Sequence, residues 1–155
     1  MESIVVDLHI DPIIQHFLFG YDLRREHGPD WRPRRRRGVF RLLKLYARLR
    51  GLHRPFFNHI DLPRMGKGHY TAGGFGIHAW PVQSERGWRL VRKQLHYFRS
   101  VVHEDDRIMQ ARTPRDIRTA FRSRKLAGFP GVEGAHCLGG TRITKRIDRL
   151  ADLFE

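Results

Sequence analysis

The chain has a single cysteine, Cys137, among its 155 residues. No internal disulfide can form, and zinc sites built from several thiolates are excluded. A lone thiol is compatible with a reducing compartment. Long apolar runs are missing too: none approaches the roughly 18 residues that a membrane-spanning helix needs. No basic stretch followed by an apolar one opens the chain, so no secretory signal is seen and a cytoplasmic location is expected. Acids are scarce, with 16 Asp and Glu facing 30 Lys and Arg for a formal net charge of +14. Beyond one arginine run there is no low-complexity segment and no internal repeat. What is present suffices for a core: hydrophobic residues make up 40% of the chain, and a chain this long is one domain or a piece of one.

Much of the basic excess lies in one zone, at about residues 20–55. Arg32, Arg34, Arg35, Arg36 and Arg37 are followed by Arg41, Lys44, Arg48, Arg50 and Arg54. The stretch from Gly20 to Gly38 is polar and punctuated by Gly28-Pro29 and Arg32-Pro33, so it reads as an insertion or long loop. Val39, Leu42, Leu43, Tyr46 and Leu49 then recur at helical spacing, with Gly51 as a stop. A field of this sign attracts nucleic acid, an anionic membrane surface or an acidic partner. The plainer reading is a solvated arginine-rich loop and a helix packed on the core, and it is preferred here.

Elsewhere the pattern alternates. Ile4-Val5-Val6 leads a buried strand running to His9. Phe75 to Trp80 reads as a second strand, and glycines 73, 74 and 76 there signal a bend or a close backbone approach. Trp88, Val91, Leu95, Phe98 and Val102 mark a long amphipathic helix. A short strand follows at Arg107 to Ala111. Thr113-Pro114-Arg115-Asp116 is a helix start with Thr as N-cap, Pro at the first position and an acid at the third. That helix turns Ile117, Ala120 and Phe121 inward. Leu126 to Val132 is another strand, weakened by Pro130. A last helix from about Arg142 buries Ile143, Ile147, Leu150 and Phe154. Strands alternating with helices argue for an α/β fold with a parallel sheet, whose chemistry sits at the carboxyl ends of the strands.

Two short acidic motifs stand at such ends. In Asp7-Leu8-His9-Ile10-Asp11, His9 and Asp11 are two residues apart on a strand and share a face. Glu133, in Gly131-Val132-Glu133-Gly134, ends a later strand. Polar groups at the end of a buried strand need partners, and a divalent ion is an economical one, since zinc takes imidazole nitrogen and carboxylate oxygen. His9 and Asp11 alone could equally be a hydrogen-bonded structural pair. His59 and Asp61 repeat their spacing but precede a Leu-Pro turn, so they are read as capping or loop-pinning residues. His78 reads as packing or as support for a ligand rather than a ligand. His136 and Cys137 are assigned structural roles.

Taken in order, Asp7-Leu8-His9-Ile10-Asp11, His59-Ile60-Asp61-Leu62-Pro63-Arg64, Gly73-Gly74-Phe75-Gly76-Ile77-His78-Ala79-Trp80 and Val132-Glu133-Gly134-Ala135-His136-Cys137-Leu138-Gly139 resemble the membrane dipeptidase family, peptidase family M19. The resemblance covers nearly the whole chain. It implies the N-terminal portion of a metal-dependent-hydrolase (β/α)8 TIM barrel, truncated to about three to four strands, with residues 1–155 as a single partial domain. It implies a dipeptide substrate and two zinc ions per complete site. His9 and Asp11 would bind one ion and Glu133 would bridge both.

Ala135, where the family usually has a second glycine, departs from the pattern. So do Pro130 and the arginine-rich segment. The chain stops at Glu155, whereas a full barrel needs about 250 residues. The family's later histidines have no counterpart, so these residues alone are expected to lack dipeptidase activity. Open strand edges would favour a homo-oligomer. A non-catalytic basic module binding nucleic acid or anionic lipid is the alternative.

Overall fold

The computed structural model describes residues 3–28, 45, 49, 60–79, 85–140 and 142–153. Four parallel strands form one sheet: β1 (Val6–Ile10), β2 (Ala72–Ile77), β3 (Ile108–Gln110) and β4 (Leu126–Val132). Their spatial order is β1-β2-β4-β3. The three longer strands are therefore neighbours in chain order, and the three-residue β3 sits on the outer flank of β4. The helices are α1 (Pro12–Phe19), α2 (Leu62–Lys67), α3 (Glu85–Glu104), α4 (Pro114–Arg122) and α5 (Ile143–Asp152), with a 3-10 turn at Ala135–Leu138. The sequence pattern above did not include α1.

β2 is the central strand, buried at every position. Its glycines are required by proximity. A Cβ on Gly74 would lie 2.3 Å from the Leu8 carbonyl oxygen, and one on Gly73 would lie 2.8 Å from Ile10 Cδ1. The close-approach reading of this stretch therefore holds, although the strand runs from Ala72 to Ile77 and not on to Trp80, which lies outside the described residues. Phe75 and Ile77 point into a core shared with Val91, Phe98 and Val101 of α3. Burying side chains of this size contributes about 2–3 kcal/mol each.

β4 has the limits expected from sequence, Pro130 included. Ala127 N–H donates to Thr71 on the β2 side, whereas Leu126 N–H donates to Arg107 on the β3 side. Alternation along the strand turns residue 130 toward β3, which ends opposite Gly128. The missing N–H of Pro130 thus falls where there is no β3 carbonyl to receive it, the arrangement in which a strand tolerates proline. The capping box on α4 also forms: the Thr113 side chain accepts from Asp116 N–H, and the Asp116 carboxylate accepts from Thr113 N–H.

Three sequence expectations are corrected. The run Ile4-Val5-Val6 is not buried. β1 is an edge strand whose register slips by one residue between Asp7 and Ile10, and only Ile10 is buried. α3 buries Trp88, Val91 and Phe98 as expected, but Gln94, Tyr97 and Val101 are buried beside them, while Leu95 and Val102 stay half-buried at the core's margin. α5 is reversed: Ile143, Ile147 and Leu150 are exposed and Arg149 is its one buried residue. Arg149 donates to the Leu138 carbonyl at 2.6 Å, pairs with Glu85, and lies 5.2 Å over the Trp88 ring. The cation anchors the helix, so its apolar stripe faces outward. Phe154 and the arginine run lie outside the described residues, as does most of the helix proposed after it. Leu45 and Leu49 of that helix are helical and exposed.

Candidate metal centre

The carboxyl ends of β1, β2 and β4 meet at one rim. β1 ends at Ile10, and Asp11 immediately precedes the Pro12 that opens α1. His78 is the first residue after β2, and Glu133 the first after β4. In a parallel sheet with helices on its faces this rim is where ligands bind.

Their side chains converge. His9 Nε2 stands 3.4 Å from Asp11 Oδ1 and 3.5 Å from Glu133 Oε1. His78 Nδ1 stands 3.8 Å from Asp11 Oδ1 and 3.5 Å from Glu133 Oε2. Each carboxylate thus faces both imidazoles. Glu133 lies on the same side of the sheet as His9 and Asp11, although more than 120 residues separate it from Asp11 along the chain. Among the described residues no group of three or more His, Cys, Asp or Glu stands in ready metal-holding geometry. The contacts are pairwise, and at 3.4–3.8 Å they are longer than good hydrogen bonds.

The backbone under the rim is arranged for this approach. A Cβ on Gly76 would fall 2.4 Å from Asp11 Oδ1 and 3.4 Å from His9 Cε1, so the bare glycine leaves the space these side chains occupy. Gln94, fully buried on α3, holds both backbone polar groups of His78. Its Nε2 donates to the His78 carbonyl at 2.7 Å, and its Oε1 accepts from His78 N–H at 3.3 Å. Cys137 ties the two strand ends together, its thiol donating to the Glu133 carbonyl at 3.0 Å and accepting from Ala79 N–H at 3.2 Å. Burial pushes that thiol's pKa up. His136 Nε2 meets the Ala79 carbonyl at 3.1 Å. The structural roles read for Cys137 and His136 therefore stand.

A donor set of two imidazoles and two carboxylates on a glycine-cleared rim suits a divalent ion. Sequence reasoning placed three of these residues and set His78 aside. The signal that could have included it was its position, one residue beyond a strand at the same end as His9. Gln94 carried no signal, being polar on a helix whose apolar spacing was satisfied without it. Asp61 lies away from this rim. It is fully buried and caps α2, accepting from Arg64 N–H and Nε, Tyr21 OH and His27 N–H. The capping role read for it holds, and His59 lies outside the described residues.

The chain is thus an α/β protein with a parallel sheet whose carboxyl rim gathers acids and imidazoles. The family model described as membrane dipeptidase, peptidase family M19, matches residues 1–153. The chain belongs to that family. Among solved structures it is similar to a dipeptidase described as a metallo peptidase of family M19, with a TM-score of 0.58 and 18% identity over 90% of this chain and 37% of that one. It is also similar to a metallo peptidase from Rhodobacter sphaeroides liganded with a phosphinate mimic of the dipeptide L-Ala-D-Ala, with a TM-score of 0.60 and 17% identity over 99% of this chain and 44% of that one. No curated protein matches. The chain thus spans less than half the length of either solved relative, and its four-stranded sheet corresponds to part of their barrel-type α/β fold. No helix among the described residues is long and apolar enough to cross a membrane.

Proposed function

We propose that this chain carries the first part of a zinc-dependent dipeptidase centre, in which His9, Asp11 and Glu133 hold metal. The observation that carries the reading is the meeting of Glu133 Oε1 with His9 Nε2 at 3.5 Å, and of that imidazole with Asp11 Oδ1 at 3.4 Å, at the carboxyl rim of the sheet. Family membership supports the same reading. A bound divalent ion supplies a water of lowered pKa and a clamp for the oxyanion that develops at a peptide carbonyl. The chain's own part is to hold and orient. Asp11 supplies charge next to the imidazole. Glu133 reaches across from the other strand with two carboxylate oxygens that would hold metal. Cys137 fixes the backbone from which Glu133 projects.

The substrate class is a dipeptide. Residues 1–155 form a single portion of such a barrel, the arginine-rich stretch at about 20–55 is an insertion, and these residues turn over no dipeptide alone. The test is metal analysis of the purified chain after zinc loading and gel filtration, beside a dipeptide hydrolysis assay. Retained zinc, lost in Glu133→Gln and in His9→Gln, with no turnover, is the expected result. Failure of the wild-type chain to retain zinc would overturn the metal reading. Chelator-sensitive turnover would overturn only the inactivity of the isolated chain.

A further inference from the structure

We infer that the cleft between α1 and α3 binds a small phosphate monoester carrying a flat ring, with a mononucleotide as the type. The cleft is built from other residues than the metal rim and does not depend on the metal reading.

Its volume is about 450 Å³, within the range of pockets that take small molecules. α1 packs on α3 through Ile14, Leu18 and Leu90. The wall of the cleft is aromatic. His16 and Tyr97 stack with ring centroids 3.8 Å apart, and the Phe17 ring stands edge-on to both, at 81° and 84°. These rings are held in place. The Tyr97 hydroxyl accepts from Leu23 N–H at 3.3 Å, and His16 Nδ1 meets the Tyr21 carbonyl at 2.8 Å. A carbonyl only accepts, so His16 Nδ1 carries the proton. Fixed rings receive another planar ring with little ordering cost.

The other side of the cleft is basic. Arg92, Lys93 and His96 line it and are exposed. Arg92 and His96 stand one helical turn apart on the same face of α3. No acid lines the cleft, and among the described residues none of these three pairs with a carboxylate. Arg24, Arg64, Arg107 and Arg149 all have acidic partners. An anion relieves the repulsion that this group otherwise carries, and arginine and lysine both suit phosphate oxygens. Free phosphate would use only the basic side. The aromatic wall beside it calls for a ring on the same molecule.

The test titrates the full chain, labelled with 15N-histidine and kept metal-free by chelator, with adenosine monophosphate, adenosine and inorganic phosphate. Shifts confined to His16 and His96 are expected, with the nucleotide binding ~10-fold or more tightly than either part alone. Arg92→Gln with Lys93→Gln should weaken nucleotide binding ~10-fold. Arg115→Gln with Arg118→Gln removes the same charge from exposed positions on α4 and should leave binding unchanged. Phe17→Leu should bring the nucleotide toward the affinity of free phosphate. The wild-type titration, with its histidines assigned sequentially, decides the matter even if a variant does not fold. Equal losses in the two double variants would assign binding to the net charge of +14 and overturn the site. So would a nucleotide no tighter than phosphate, or shifts absent from His16 and His96.

Discussion

Gly76 and Asp11 share a space that only one of them can fill: a Cβ on the glycine would lie 2.4 Å from the Asp11 Oδ1 oxygen. The strand neighbour of the rim is therefore part of the site without contributing a donor. Gly76→Ala should displace the carboxylate and lower metal affinity by roughly 10–100-fold, the range seen when a ligand's support is disturbed. Metal titration against a competing chelator checks this. Fold content by circular dichroism should change little, because the clash is with a half-exposed side chain rather than with the backbone.

Asp61 should matter to stability and not to metal. Its fully buried carboxylate accepts hydrogen bonds from Tyr21, His27 and Arg64, which binds Chain segments on either side of residues 29–59. Asp61→Ala removes the buried carboxylate to which Arg64, Tyr21 and His27 all donate, a loss of about 1–3 kcal/mol. Urea denaturation of the variant should show the midpoint fall with an unchanged slope.

Cys137 should be inert in the folded chain. Its thiol is fully buried, and burial raises its pKa above the ordinary value. Alkylation at neutral pH should be slow in native buffer and fast in denaturant, since the thiolate is the reactive form. Rapid labelling of folded protein would contradict the position described. Cys137→Ala should cost about 1–3 kcal/mol, because the Ala79 N–H and the Glu133 carbonyl both lose a buried partner.

The pair Asp105–Arg107 gives a pH dependence. Hydrogen bonds from Arg107, with Nε at 2.9 Å and NH2 at 2.6 Å, hold the Asp105 carboxyl below its ordinary 3.8 despite the opposing effect of burial. A pKa lowered by folding stabilises the folded chain above that ordinary value. The gain is lost as the pH falls through the lowered one. Asp105→Asn should therefore cost about 1 kcal/mol at pH 7, discounted because Arg107 is half exposed, and progressively less toward pH 2. Chemical denaturation at several pH values would check that the two stability curves converge on the acid side.

Local chemistry was legible wherever it is self-contained. Thr113 and Asp116 form their reciprocal cap because both partners lie within one turn. β4 keeps its expected limits because its composition and flanking residues set them. The gathering of His9, Asp11 and Glu133 was legible from strand-end position combined with parallel topology. The face that α5 covers was not. The apolar stripe of α5 is real, yet Arg149 finds Glu85, Trp88 and the Leu138 carbonyl and turns the helix around. On α3 the pull of the His78 backbone brings Gln94 inside.

Sequence alone determined most of the alternation of strands and helices, the Thr113 and Asp61 caps, and the strand-end positions of His9, Asp11 and Glu133, since these depend on neighbours a few residues away or on the side of a sheet to which a strand end belongs. Tertiary structure decided the rest: that β3 lies outside β4, that β1 is an exposed edge, and that His78 enters the rim. Those outcomes turn on contacts between residues distant in the chain, whose hydrogen bonds and ion pairs outweigh the preferences any local stretch can express.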